Sequence, residues 1–361
     1  MYLKTLTLVN FRNFRSFGYD ASQRINCFVG NNGVGKTNLL EAIHYLSFSK
    51  SFINYSDRLN ITHGEEMFLI QGDYERNGSS EKIYCAFKSG QKKVLRHNGK
   101  EYEKMSDHIG FIPLVYALPS DSTMIFAGSE QRRRFIDQVI SQFDHNYLNE
   151  LIAYNHGIEQ RNKMLKDAAR ESKFDNLSFE VWDDFLSEKS AYIYKVRNDF
   201  INGFLSSFQK YFELISGGNE TVELIYESQL ASENPLTLLK KSFHRDSVLQ
   251  YTTTGVHRDE LIFNIEKHAL RSTGSQGQQK SFVAALKFAQ FDFIKNKTGL
   301  APILLLDDIF DKLDHERVGN IMNIVSGEQF GQIFITDTDE KRIRNMLSHI
   351  DIESNILNIY E

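Results

Sequence analysis

The stretch Ile25–Leu40, INCFVGNNGVGKTNLL, decides the fold. Its first five residues, Ile25–Val29, are mostly apolar and run straight into glycine. Beyond Thr37 the apolar residues Leu39, Leu40, Ile43 and Leu46 recur at helical spacing, so the segment reads as strand, loop and helix. Between strand and helix, GNNGVGKT (Gly30–Thr37) fits the G-x-x-x-x-G-K-[S/T] pattern at each fixed position. Gly30, Gly33 and Gly35 let the backbone curl so that amides, including those of Asn31, Asn32 and Val34, point inward at phosphate oxygens. Lys36 is expected to neutralise the β and γ phosphates, and Thr37 to ligate Mg²⁺ through its hydroxyl. The following helix turns its positive end to the anion. A plain glycine-rich turn is the bland alternative, and the complete match argues against it. The expectation is an ATP site with Mg²⁺.

Two further stretches carry chemistry. ILLLDDIFDKLD (Ile303–Asp314) is an apolar run ending in paired acids. Strand ends face the ligand crevice of an α/β sheet, so this strand is expected beside the P-loop strand. Asp307 is then the carboxylate for Mg²⁺, and Asp308 a general base on the attacking water, with Lys36 as the other catalytic group. Apolar strands ending in Asp are common, but a P-loop in the same chain gives this one its meaning. STGSQGQQKS (Ser272–Ser281) precedes a helix with Val283, Leu286, Ala289 and Phe293 on its apolar positions. Ser275 and Gln278 also form an S-x-x-Q capping box, so a well-capped helix alone accounts for them.

Bulk properties narrow the class. With 361 residues, 41% hydrophobic and 25% charged, the chain has the composition of a globular protein of one large domain or two ordinary ones. No apolar run approaches the roughly 20 residues of a membrane-spanning helix. The start, MYLKTLTLVNFRNF, lacks the features of a secretory signal and reads as an edge-entering strand. Cys27 and Cys85 show no metal or disulfide spacing, which suits a reducing cytoplasm. A net charge of −5 lowers the expectation of nucleic-acid binding. Local clusters that could override it are Arg132, Arg133 and Arg134, and Lys341, Arg342 and Arg344, although short runs of this kind also read as solvated helix faces. His257 has no carboxylate and serine at triad spacing.

From about residue 129 to 217 there is no proline and apolar positions fall three or four apart, so long helices are expected, broken near Glu171–Ser178. Aromatic and β-branched segments over 61–118 read as added sheet. The expected division is 1–122 as the N-terminal part of an ATPase head with the P-loop, 123–249 as a helical lobe, and 250–361 as the C-terminal part of the head. No long heptad repeat is present.

S-x-G-Q ahead of a helix, an apolar strand ending in DD, and then DKLD together resemble the ATPase heads of the ABC and SMC superfamily. NFRNF (Asn10–Phe14), LPSD (Leu118–Asp121), QRRRFID (Gln131–Asp137), GVHRDEL (Gly255–Leu261) and GSQGQQKS (Gly274–Ser281) are similar to the motifs of one branch, the RecF family of bacterial recombination proteins. They span nearly the whole chain in the family's order. The resemblance implies an α/β P-loop ABC/SMC-like ATPase head with an inserted, mostly helical lobe and no long coiled coil. It implies that Ser275, Gly277 and Gln278 bind the γ-phosphate held by a second subunit's P-loop, and that Asp311, Lys312, Leu313 and Asp314 form a D-loop across the dimer interface. It further implies an ATP-dependent homodimer on DNA, duplex or gapped and junction forms with single-stranded regions. The family acts with RecO and RecR to help load RecA in gap repair, and it supports replication and SOS induction.

Departures from the wider superfamily bear on rate. Gly274 and Gln276 replace the leucine and first glycine of the commoner signature, Asp308 stands where many relatives have glutamate, and Thr336 falls where transporter cassettes carry a switch histidine. Asp121 lies near where a Q-loop would couple nucleotide to the lobe. Slow, DNA-stimulated hydrolysis is expected. Two alternatives stand beside it: an ATP-switched DNA scaffold with negligible turnover, and a transporter ATPase subunit, which the large helical block between Gly30 and Ser275 disfavours.

Overall fold

A computed structural model describes residues 1–54, 56–171, 176–218, 220–309, 314–348 and 352–360. The chain opens with β1 (Tyr2–Phe11), β2 (Phe14–Asp20), β3 (Ile25–Val29) and α1 (Lys36–Phe48). Strands β4 (Met67–Arg76), β5 (Ser79–Lys88), β6 (Val94–His97), β7 (Lys100–Glu101) and β8 (Leu114–Ala117) follow. Next come α2 (Thr123–Phe126), α3 (Ser129–Ser141), α4 (His145–Glu171), α5 (Asn176–Ser216), β9 (Val222–Glu227) and α6 (Pro235–Leu249). The remainder is β10 (Glu260–Ile265), β11 (His268–Ala269), α7 (Leu270–Thr273), α8 (Gln276–Thr298), β12 (Ile303–Asp307), α9 (His315–Val325), β13 (Ile333–Asp337), α10 (Glu340–Leu347) and β14 (Ser354–Asn358).

The chain forms two compact units, one of Met1–Ser122, Tyr211–Asn219 and Ser275–Glu361, the other of Thr123–Lys210 and Glu220–Gly274. Residues 250–274, grouped with the head from sequence, fall in the second unit because β10 pairs with β9, Leu261 opposite Tyr226. The first unit holds an antiparallel sheet in the order β2-β1-β4-β5-β6-β7 and a parallel sheet in the order β14-β3-β13-β12-β8. Strand β1 is flanked by β2 and β4, so the expected edge position belongs to β2. Every residue of β3, β12 and β13 is buried, as parallel strands covered on both faces require. Leu39, Leu40, Ile43 and Leu46 of α1 are fully buried in the same core as Leu3, Leu6, Leu8 and Phe68 of the antiparallel sheet.

The second unit is mostly helical, with a small antiparallel sheet β11-β10-β9. Helices α4 and α5 run for 27 and 41 residues; the expected break between them lies partly on 172–175, outside the described residues. Two buried arginines pin this unit. Arg161 on α4 reaches Asp183 on α5 and Asp246 on α6, each at 2.7 Å. Arg197 on α5 pairs with Asp137 on α3 at 2.9 Å and Asp259 at 3.2 Å, and donates to the Val256 carbonyl. Among the described residues no helix is long and apolar enough to cross a membrane.

Candidate nucleotide-binding site

The loop that joins β3 to α1 takes its shape from glycine. Gly30 and Gly35 have φ of 154° and 106°. A side chain on Gly30 would strike the Ile359 carbonyl at 2.4 Å, and one on Gly35 would strike the Asn13 amide at 2.5 Å. Asn13, in the turn between β1 and β2, donates to the Val34 carbonyl at 2.9 Å and accepts from Asn38 at 2.8 Å, so it braces the loop from outside. Its neighbour Arg12 grips Glu41 of α1 with Nε and Nη2. The NFRNF motif thus fixes the P-loop and its helix to the antiparallel sheet.

Lys36 is 6% exposed and donates to the Gly30 and Asn31 carbonyls, both at 2.8 Å. Thr37 Oγ1 donates to both carboxylate oxygens of Asp307 at 3.0 Å. Residues 270 positions apart therefore meet at the C-terminal ends of β3 and β12. The expectation that these strands are neighbours is corrected: β13 lies between them, with Thr336 in register with Phe28 on one side and Asp307 on the other. Thr336 Oγ1 donates to Asp307 Oδ1 at 2.6 Å and accepts from the Asp308 amide at 3.1 Å. Burial pushes the Asp307 carboxyl above the usual carboxylate range, while the hydroxyls of Thr336 and Thr37 and the Lys36 charge pull it back. A hydroxyl and a carboxylate converging beside the mouth of a P-loop are the hard oxygen donors that Mg²⁺ accepts alongside phosphate and water, so the residues fit that ion. A small cleft, partly open to solvent, is lined by Asp307, Asp308 and Ile309 together with Leu118 and Lys280.

Ser275 caps α8 reciprocally with Gln278: its hydroxyl accepts from the Gln278 amide at 3.2 Å, and its own amide donates to Gln278 Oε1 at 2.7 Å. The capping box and the signature motif are one piece of chain. Asp314 caps α9 by accepting from the Arg317 amide at 2.8 Å; Asp311, Lys312 and Leu313 lie outside the described residues. Arg317 was not singled out by sequence, yet its guanidinium lies beside both motifs: Nε is 3.4 Å from Asp314, and a side chain on Gly277 would fall 2.6 Å from Nη1. Asp121 accepts from the Leu118 amide at 2.8 Å and pairs at 3.1 Å with Lys287, a buried residue of α8 whose ammonium sits 4.7 Å from the Tyr116 ring. The start of the LPSD segment is thereby anchored to the helix that carries the signature.

The basic run divides by environment. Arg132 is spent internally, pairing with Glu260 at 2.8 Å and donating to the Met124 and Ala127 carbonyls. Arg133 is half-buried and donates to the Asp259 carbonyl; burial, then the nearby Arg197 charge, holds it below the usual guanidinium range. Arg134 is exposed, with Glu130 one turn away at 2.5 Å. Near the C-terminus, Arg342 is committed to buried Asp337, whereas Lys341 is exposed. Arg132→Ala is expected to cost about 1–3 kcal/mol in urea denaturation, because it strips two carbonyls and Glu260 of their donor. Arg134→Ala is expected to cost less than about 0.5 kcal/mol, an exposed i,i+4 pair being worth little.

The pattern of the family described as RecF/RecN/SMC N terminal domain matches residues 2–356. The DNA replication and repair protein RecF of Flavobacterium johnsoniae is 49% identical over 342 residues, 95% of each chain. That of Phocaeicola vulgatus is 46% identical over 355 residues, 98% of this chain and 95% of its own. The fold is similar to that of the recombination mediator protein RecF of the RecFOR pathway solved as RecF-ATP, with a TM-score of 0.89 at 32% identity, covering 99% of this chain and 95% of that one. The Smc head domain of Pyrococcus furiosus gives a TM-score of 0.59 at 17% identity over 99% of this chain and 93% of its own, a likeness of fold alone.

Proposed function

The chain belongs to the RecF family of DNA replication and repair proteins, and from that premise we propose that it is an ATP-switched DNA-binding protein of recombinational gap repair. The observation that carries the proposal is the meeting of Lys36, Thr37 and Asp307 at the mouth of a glycine cradle. The amides of Gly30–Thr37 and the positive end of α1 bind the phosphates of ATP, and Lys36 leaves the Gly30 and Asn31 carbonyls to neutralise them. Thr37 and Asp307 would hold Mg²⁺, which would supply charge neutralisation at the phosphates. Asp308, at the rim of the adjacent cleft, accepts the proton of the attacking water in a slow, DNA-stimulated hydrolysis.

Ser275, Gly277 and Gln278 offer the exposed start of α8 to ATP held by a second copy, with the segment Asp311–Asp314 at the same interface. ATP then joins two heads, and the dimer brings two sets of basic groups onto DNA. Arg133, Arg134 and Lys341 are better placed for phosphate contact than Arg132, whose guanidinium is already engaged. The role of the dimer is to mark gapped or junction DNA in the cytoplasm for RecR and RecO, through which RecA is loaded, and so to support replication and SOS induction.

Light scattering of the natural chain and Ser275→Arg, with and without ATP, tests the dimer. The natural chain is expected to double in mass on adding ATP, while the variant still binds ATP through its own P-loop and stays monomeric. Doubling by both would remove the signature turn from the interface. Ser275→Ala, which also loses the cap at a cost of about 1 kcal/mol, controls for weakened folding of α8.

A further inference from the structure

By the resemblance drawn from the sequence, Thr336 of β13 falls where transporter cassettes carry a switch histidine. It is fully buried, and its hydroxyl bridges the two adjoining acids: the proton goes to Asp307 Oδ1 at 2.6 Å, and the oxygen accepts the Asp308 amide at 3.1 Å. The strand order explains why this residue has that task. Because β13 separates the P-loop strand from the acid-bearing strand, whatever stands at the end of β13 is in register between Phe28 and Asp307. A shift of one residue would turn that side chain to the opposite face of the sheet.

Two consequences follow for the acids. Oδ1 of Asp307 receives hydroxyls from Thr336 and Thr37, while Oδ2 receives Thr37 alone, so the carboxylate plane is set from both sides. Asp308 has φ of 44°, in the left-handed region that is uncommon for non-glycine residues though more open to aspartate than to most, and its amide is held by Thr336.

We infer that Thr336 is a positioning residue that orients Asp307 toward Mg²⁺ and keeps Asp308 in its left-handed conformation beside the cleft. This rests on the nucleotide reading given above. The residue acts on the chain's own acids, and through them on metal and water.

The test is the affinity of the full chain for a fluorescent mant-ATP, measured in EDTA and again across a MgCl₂ titration, for the natural protein, Thr336→Val and Thr336→Ser. Hydrolysis and thermal stability are followed in parallel. In EDTA all three are expected to bind within twofold of one another. The gain in affinity on adding Mg²⁺ is expected to shrink at least fivefold in Thr336→Val, with kcat down at least tenfold, and Thr336→Ser restores both to within about threefold of the natural chain, since a hydroxyl is all that is required. If Thr336→Val keeps the full Mg²⁺ response, or if serine fails to rescue, Thr336 is not the positioning residue. A Thr336→Val protein that loses binding equally in EDTA and Mg²⁺ shows only structural damage and overturns the inference too. A natural chain that binds no mant-ATP refutes the nucleotide site itself, and one that binds it without regard to Mg²⁺ refutes the metal assignment; either result leaves Thr336 with nothing to position and overturns the inference.

Discussion

Replacing Lys36 with alanine is expected to weaken ATP binding at least a hundredfold. The residue is almost wholly buried, and its ammonium donates to two carbonyls of the loop itself. A lysine held this way is a buried cation in no salt bridge among the described residues, with Asp307 near enough to feel its charge, an arrangement that an incoming phosphate completes. A hydrogen bond to a charged group contributes about 1.5–3 kcal/mol, and losing two of them to the phosphates is about a hundredfold or more in affinity. Lys36→Arg is expected to recover little, because the guanidinium is a broad planar fork where the loop fits a compact point charge. Binding of labelled ATP by equilibrium dialysis decides it: an alanine variant within threefold of the natural chain contradicts the assignment of the P-loop.

The second large effect falls on the folding of the helical unit. Arg161 is fully buried between Asp183 and Asp246, with Thr252 as a third partner at 3.0 Å. Arg161→Ala leaves two buried carboxylates facing each other with no cation between them. Breaking a buried pair by removing one partner costs about 3–5 kcal/mol, and here one arginine serves two acids. The loss also depends on pH. Burial already holds the Asp183 carboxyl above its usual range, and Arg161 is the largest influence pulling it down. Without the arginine the folded protein holds a proton there that the unfolded chain releases, so stability falls as pH rises past the unfolded carboxylate range near pH 4. The variant is therefore expected to be less destabilised at pH 4.5 than at pH 7.5. Trp182, the single tryptophan, adjoins Asp183 on α5 and reports the unfolding of this unit in urea. An unchanged midpoint at pH 7.5, or a larger loss at pH 4.5, contradicts the account.

What could be read from the chain was what is local along it. The strand, glycine loop and helix at Ile25–Leu40 and the apolar run Ile303–Leu306 are contiguous patterns whose period and punctuation carry their own structure, and they stand where expected. The S-x-x-Q box is likewise complete within four residues. The order of strands is not local. Nothing in Ile303–Asp307 says that β13 will insert between it and the P-loop strand, so the part played by Thr336 stayed hidden, though its side chain touches both acids. Asn13 and Val34 are 21 positions apart, and their bond follows from how the β1–β2 turn folds over the loop. In the run Arg132–Arg134 the three residues read alike as basic, and only the helix they share, which turns Arg132 toward Glu260 and Arg134 toward solvent, separates an internal ion pair from exposed charge.

The central claim is that ATP, held by this P-loop, switches the chain onto DNA. It is tested most directly by binding of a labelled gapped duplex at one fixed salt concentration, in ATP, in ADP and without nucleotide, with mass followed in parallel. The account predicts tight binding only in ATP, by a species of twice the mass of the chain. Binding of equal strength in all three conditions, or binding by a monomer in ATP, would contradict it.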